Sequence, residues 1–345
     1  MRQILIRIPI PGTDYAQPLY GYGAMLCLAF LAAIWVAARR ARRCGQPVEI
    51  IYNAALFCFV GGVLGARVFY VVQFHEHFNS WLDLFKIWEG GLTYYGGLLM
   101  ATAATMGYLV MARLPVLYWL DIMAPSLALG LAFGRMGCFL NGCCFGAECP
   151  HEVWGLTWPA GSIPWFHYAN EYLAAQGGLA GSGAPYGATV GALAATWQPP
   201  AIYPSQILAL AGGLLLFAVL HFMFRHKRRH GQILLAFFLL YGLGRFLEEA
   251  LRADEASIYL LGLPTLLDLM GHPAAAAGLH GLTISQNVAI VMVIGAAVAL
   301  VYLLKSPRRG WNADYVPPAP VLSDAAPAAG PSRKKPPKPR KGKNR

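Results

Sequence analysis

The sequence predicts an all-α protein built into a membrane, with about seven transmembrane helices. Three observations carry that prediction. The 345 residues are 57% hydrophobic and only 12% charged, whereas ordinary soluble domains carry about 25% charged residues. Such a chain lacks the polar side chains to cover a soluble surface, which excludes a cytosolic enzyme, a secreted disulfide scaffold and a disordered chain. Seven stretches stay apolar over the roughly 20 residues that a hydrocarbon core demands. Lys and Arg are also strongly skewed between alternate connections, as the positive-inside rule requires of a multi-pass protein.

Residues 1–18 contain Arg7, Pro9, Pro11 and Pro18 and no long apolar run, so they read as an extracytoplasmic N-terminal arm rather than a cleavable signal peptide. A membrane domain follows over 19–304, with spans expected at 19–38, 50–74, 92–112, 117–140, 202–224, 232–251 and 285–304. With the N-terminus outside, the inner segments hold twenty Lys and Arg and the outer ones four, which predicts an N-out/C-in topology. Residues 142–200 form an extracytoplasmic loop domain between spans 4 and 5, with no Lys or Arg and with Trp154, Trp158, Trp165, Phe166, Tyr168 and Trp197. The loop is expected to act as a lid, or to dip these aromatics into the headgroups. Residues 305–345 are rich in Pro, Ala and Lys and read as a disordered basic cytoplasmic tail. That tail holds eleven of the 27 basic residues and accounts for most of the net charge of +11. Nucleic acid is not the expected partner, because no stacking aromatics are interleaved with those charges. The tail suits a topology anchor or contact with membrane lipids.

The other three basic residues, Arg67, Arg135 and Arg245, fall inside spans, each within two residues of a glycine. A charge in the bilayer is costly and marks a functional site by default, although a single Arg often snorkels or pairs structurally. Guanidinium groups gathered on one cavity suit a phosphate, because the planar fork binds oxyanions bidentately.

Four motifs surround them. Residues 134–146, GRMGCFLNGCCFG, join Arg135 and Asn141 to glycines, Gly146 among them, that allow close approach of a helix or a lipid head. In 241–255, YGLGRFLEEALRADE, residues Tyr241, Arg245 and Glu249 share one helix face at i, i+4 and i+8, while Glu248 lies about 100° round from Glu249. That face is either a structural ion pair or an acid/base set with a hydroxyl beside it. Tyr94 and Tyr95 stand between two Gly pairs at the start of the third span, and Tyr20 stands in PLYGYG before the first; both suit an interfacial aromatic belt equally well. YPSQ at 203–206 says little by itself. Cys138, Cys143, Cys144 and Cys149 follow a C-x4-C-C-x4-C spacing that is not a paired zinc pattern, so no metal is expected. One disulfide, or thiols acting as small apolar groups, fits the spacing better. His151 is close in sequence but has no support as a partner for a Cys nucleophile.

Together, in this order, the motifs resemble the prolipoprotein diacylglyceryl transferase family over roughly residues 18–306. The family run Gly-Arg-x-Gly-Asn-Phe-x-Asn-Gly-Glu-x-x-Gly is matched at Arg135, Phe139, Asn141 and Gly146. The late Tyr-x3-Arg-x3-Glu is matched at Tyr241, Arg245 and Glu249. The P-S-Q, Tyr20-Gly21 and the glycines around Arg67 match as well. Cys138 and Cys143 replace the family's Asn and Glu, and Tyr95 stands where the family has His. The resemblance implies transfer of the diacylglyceryl group of phosphatidylglycerol to the lipobox cysteine of preprolipoproteins in the bacterial inner membrane, without cofactor. It implies that Arg135, Arg245, Tyr241, Glu249 and Tyr95 are catalytic. Arg135, Asn141, Gly146, Tyr20, Arg67 and Arg245 are expected to bind the lipid. With the family His absent, Tyr95, Tyr241 and Glu249 are open candidates for the base, a tyrosine serving only if an adjacent Arg lowers its pKa. A divergent paralogue and an anionic-solute transporter are the alternatives, though the sequence shows no internal repeat of the transporter kind.

Overall fold

The computed structural model describes residues 4–9, 16–77, 90–149, 155–175, 193, 196–249, 251–252 and 282–305. The basic tail beyond Lys305, Lys86, His151 and Trp154 lie outside those residues.

The chain is mostly helical, in the order β1 (Ile4–Pro9), β2 (Ala16–Tyr20), α1 (Gly21–Arg43), α2 (Glu49–Gln73), a 3-10 turn (His75–His77), α3 (Tyr94–Met111), α4 (Val116–Asn141), α5 (Ile163–Ala175), α6 (Ser205–Arg225), α7 (Gln232–Glu249) and α8 (Ile284–Lys305). A long helix stands at each of the seven expected stretches. Five of them, α1, α2, α4, α6 and α8 from Ser285, are long and apolar enough to cross a membrane. At 18 residues each, α3 and α7 are shorter, and α7 carries Arg245, Glu248 and Glu249. The arm is not irregular. Its two strands pair antiparallel, with Arg7 opposite Pro18 and Ile4 opposite Tyr20. A two-stranded ribbon has only edge strands, where proline is tolerated.

Helix α4 is the central element. Half of its most apolar window is buried, against 22% or less in the other four crossing helices. It begins after Pro115 and ends at Gly142, whose φ of 81° is the left-handed stop that glycine adopts readily. Trp119 and Ile122 of α4 pack with Ile51 of α2, Leu109 of α3 and Ala41 of α1. One turn on, Ala124 and Ala128 pack with Leu220 of α6 and with Ile233 and Phe237 of α7. Helices α2 and α3 meet through glycine. A Cβ on Gly65 would lie 2.5 Å from the Gly96 carbonyl oxygen, and one on Gly96 would lie 2.6 Å from that of Gly65. Large apolar side chains such as Leu31, Val72, Leu215, Phe222 and Val291 face outward. An apolar exterior of that extent suits a lipid environment.

Asp121 ties α4 to the start of α7. It is fully buried and accepts from the backbone N–H groups of Gly231 (2.8 Å), Ile233 (3.0 Å) and Leu234 (3.0 Å). Lys227 Nζ adds an ion pair at 3.3 Å. The first N–H groups of a helix have no partner within it, so a carboxylate from another helix serves as their cap.

The described part of the 142–200 loop has its own core, in which Phe145, Trp158, Tyr168 and Ile202 are buried against Phe139 and Trp197. Trp165 is also buried, while Phe166 is exposed. These buried aromatics pack on one another, while Phe166 stays outside their cluster. Backbone hydrogen bonds fasten the segment, from Ala147 N–H to Leu251 (2.9 Å), Tyr203 N–H to Ala147 (2.9 Å) and Cys149 N–H to Ala201 (2.7 Å).

Candidate active site

Three guanidinium groups and two carboxylates converge where the end of α4 meets the end of α7. Arg135 reaches across from α4 to Glu248, at 3.1 Å to Oε1 and 3.3 Å to Oε2. Arg245 lies 3.9 Å from the same Glu248 and pairs more closely with Glu249. Arg252 lies 3.9 Å from Glu249. The start of α8 completes the set: Thr283, just before the helix, donates from Oγ1 to Glu249 at 3.1 Å, and Arg245 donates to Ser285 Oγ at 3.1 Å. The two carboxylates leave one unit of positive charge among the three arginines, in a place with little water, which favours an incoming anion.

Arg135 and Arg245 are thus brought together as the spacing required. Glu249 is nearly enclosed, with 1% of its side chain exposed, and its oxygens are taken up by two arginines and a hydroxyl. It holds Arg245 in place and is poorly placed to receive a proton. Glu248 is the residue that the helical-wheel reading turned away from the site. It sits at i+3 from Arg245, within pairing reach on one helix, and its main partner comes from another helix. Arg252 stood within the 241–255 motif without a role assigned to it, and Thr283 and Ser285 belonged to no motif; the signal available for those two was a pair of hydroxyls at the start of the last apolar run.

Tyr241 stacks on Phe237, with ring centroids 5.7 Å apart, and stands within electrostatic reach of Arg135. At the start of α3, Tyr94 is within electrostatic reach of Tyr241, Arg135 and Arg245. Tyr95, the residue expected, lies edge-on to Tyr94 at 5.6 Å, and the two rings are equally exposed. At the first span a second tyrosine stands two positions after the expected one. Tyr20 ends β2 as an exposed residue, whereas Tyr22 packs against Gly137 of α4 and interacts with Cys138, Cys143, Cys144 and Tyr94.

Among the described residues, Arg67 is not part of this set. Its guanidinium donates to the carbonyls of Gly90 (2.9 Å) and Gly91 (3.1 Å) and lies over Tyr70. Thr93 adds a bond from Oγ1 to the Ala66 carbonyl at 3.0 Å. Both contacts fix the entry to α3, where Tyr94 stands. Gly146 also has a packing reason. A Cβ there would lie 2.3 Å from the Tyr203 carbonyl oxygen, so its place is filled by protein. Tyr168 donates to the Gly146 carbonyl at 3.2 Å. Burial, with Glu148 and Glu171 nearby, pushes the Tyr168 phenol up to about 12, so it stays a donor at neutral pH.

The YPSQ motif acquires a role. Ser205 Oγ donates to the Cys144 carbonyl at 2.8 Å and Gln206 Nε2 to the Cys143 carbonyl at 3.0 Å, both from buried side chains. Asn141, at the end of α4, hydrogen-bonds Cys143. All seven cysteines are free thiols, so the expected disulfide is not formed. The sulfurs of Cys138, Cys143 and Cys144 lie within 4.8 Å of one another.

Comparison with known proteins places most of the chain beside one family. A family model described as prolipoprotein diacylglyceryl transferase matches residues 15–302. A phosphatidylglycerol–prolipoprotein diacylglyceryl transferase of Paraburkholderia xenovorans (strain LB400) is 30% identical over 301 residues, covering 84% of this chain and 90% of the relative. One of Burkholderia cenocepacia (strain HI2424) is 30% identical over 304 residues, covering 85% and 92%. One of Rhodopirellula baltica is 35% identical over 176 residues, and there the match spans only 36% of the relative's length. Helices of spanning length, paired arginines on α4 and α7, and a match along most of the chain lead to one conclusion: this protein is a member of the prolipoprotein diacylglyceryl transferase family.

Proposed function

We propose that the chain moves the diacylglyceryl group of phosphatidylglycerol onto the thiol of a lipobox cysteine in a preprolipoprotein, in the bacterial inner membrane. The glycerol C–O bond to phosphate breaks, a C–S thioether forms, glycerol phosphate leaves and the thiol proton passes to a base. The observation that carries the reading is the Arg135–Glu248–Arg245–Glu249 network joining α4 and α7.

Negative charge grows on the phosphate as the C–O bond lengthens. Fixed guanidinium donors in a site of low dielectric stabilise that charge without reorganising. Arg135 and Arg245 are assigned this role. A lipid phosphate that engages Arg135 competes with Glu248, and the displaced carboxylate becomes a stronger base beside the incoming thiol. Sulfur attacks as thiolate, so a nearby proton acceptor is required. Glu248 takes this role in preference to Glu249, whose oxygens are already committed, with the Tyr94 and Tyr241 hydroxyls next to it. The topology assigned with this function has seven spans, N-out/C-in, with the 142–200 cap over the outer end of the site.

The test is direct. Purified protein in detergent is given phosphatidylglycerol and a peptide with one lipobox cysteine, and the peptide is weighed. A diacylglyceryl mass gain that depends on Arg135 and on the peptide thiol is expected. No gain from folded protein that still binds phosphatidylglycerol would overturn the reading in favour of a paralogue with another task.

A further inference from the structure

The end of α4 and the turn after it gather three thiols to which the proposed transfer assigns no role. Gly142 and Cys144 both take left-handed backbone, at φ 81° and 59°. For a residue with a side chain that conformation is strained and is kept only where its surroundings enforce it. Here the enforcement is visible. The Cys143 N–H returns to the Cys138 carbonyl at 3.2 Å, and the buried Ser205 and Gln206 hold the carbonyls of Cys144 and Cys143 from the start of α6. The result is that three sulfurs distant by up to six positions in sequence face one another within 4.8 Å. None is in a disulfide, and all three are partly exposed.

We infer that Cys138, Cys143 and Cys144 form a binding site for one thiophilic cation of the Zn(II), Cd(II) or Cu(I) class, with a fourth coordination position open. The donor set is all sulfur, which selects soft or borderline ions and excludes Mg(II) and Ca(II). Thiolates around a tetrahedral ion with bonds of about 2.3 Å lie about 3.8 Å apart, so the sulfurs need to close by about 1 Å at most. Binding ionises the three thiols, and their protons pass to solvent. Arg135 is within electrostatic reach of Cys138 and Cys144, and its positive charge favours the thiolates that the ion requires. Ser205, Gln206 and Asn141 touch the ligand residues and not the ion, so they act as positioning residues.

The full chain in detergent, reduced with a phosphine, is titrated with Cd(II) as the probe. Thiolate-to-cadmium ultraviolet absorption and metal content after dialysis are the readouts, and neither depends on transferase activity. One Cd(II) per chain is expected, displaced by Zn(II). Cys138→Ser and Cys143→Ser should each weaken binding by more than about 100-fold, and Ser205→Ala by about 10- to 100-fold, as loss of an outer-shell partner does. Cys27→Ser, on α1, should change nothing. Binding that survives Cys138→Ser, or that Cys27→Ser abolishes equally, overturns the site. So does the absence of bound Cd(II) from protein whose three thiols are counted as free. A disulfide between any two of the three in protein isolated without reductant would also overturn it and make the turn a redox pair.

Discussion

Arg135 and Arg245 meet at one carboxylate although 110 positions separate them in the chain. Glu248 is the common partner, and the consequence for mutation is specific. Arg135→Ala and Arg245→Ala should each lower diacylglyceryl transfer by at least about 100-fold, the scale for losing one donor to a developing oxyanion. The protein should still insert and elute as a folded species. Near-normal transfer by either variant would remove that residue from the phosphate role. Tyr94→Phe should slow transfer more than Tyr95→Phe does, because Tyr94 is within electrostatic reach of Arg135, Arg245 and Tyr241; the reverse order in the same mass assay would restore Tyr95. Both arginines, Tyr241 and Glu249 were legible from sequence, since an intramembrane charge and an i, i+4, i+8 face are local signals. Glu248, Tyr94 and Tyr22 were not. Their selection depends on the rotation of each helix against its neighbours, and packing sets that rotation.

At the scale of elements, buried charge and close glycine contacts set the stability. Removing one partner of a buried ion pair costs about 3–5 kcal/mol, and Asp121 also caps three amides. Asp121→Ala should therefore lower unfolding stability in detergent by about that amount, with Lys227→Ala milder because the amides keep their acceptor. Equal effects would mean that the ion pair, not the cap, holds α7. Gly65→Ala places a Cβ against Met100 and the Gly96 carbonyl; it should cost about 1–3 kcal/mol by overpacking and shift the Tyr94 end of α3. The segment after α4 is held in part by the Tyr168 hydroxyl as a donor to Gly146. A phenol raised in the folded state favours its protonated form, so this contribution is complete below pH 10 and fades as pH rises through about 12. Tyr168→Phe should abolish that alkaline loss in a near-ultraviolet circular dichroism titration. The seven helices were legible because each needs only a long apolar run. Helix α1 extends to Arg43 because basic side chains suit the last turn of a helix, beyond the end that apolarity alone gives. Strands β1 and β2 and helix α5 were not legible, since short elements in a Pro-rich arm and an aromatic loop are decided by their partners.

For the whole molecule, the charge skew makes a prediction about sidedness. A reporter fused after Lys305 should be active only in the cytoplasm, and one inserted at Gly161, in the cap, only outside. Cytoplasmic activity at Gly161 would reverse the proposed topology. Which helices neighbour one another was not legible, because an apolar stripe facing protein and one facing lipid read alike in sequence. Asp121 and Arg135 stand about 21 Å apart along α4, and each grips one end of α7. Helix ends ordinarily fray, and their first amides lose protection from solvent soonest. Here one carboxylate occupies the N–H groups of Gly231, Ile233 and Leu234. Those three hydrogens should trade for deuterium as slowly as the middle of the helix, and only when α4 and α7 part as a unit.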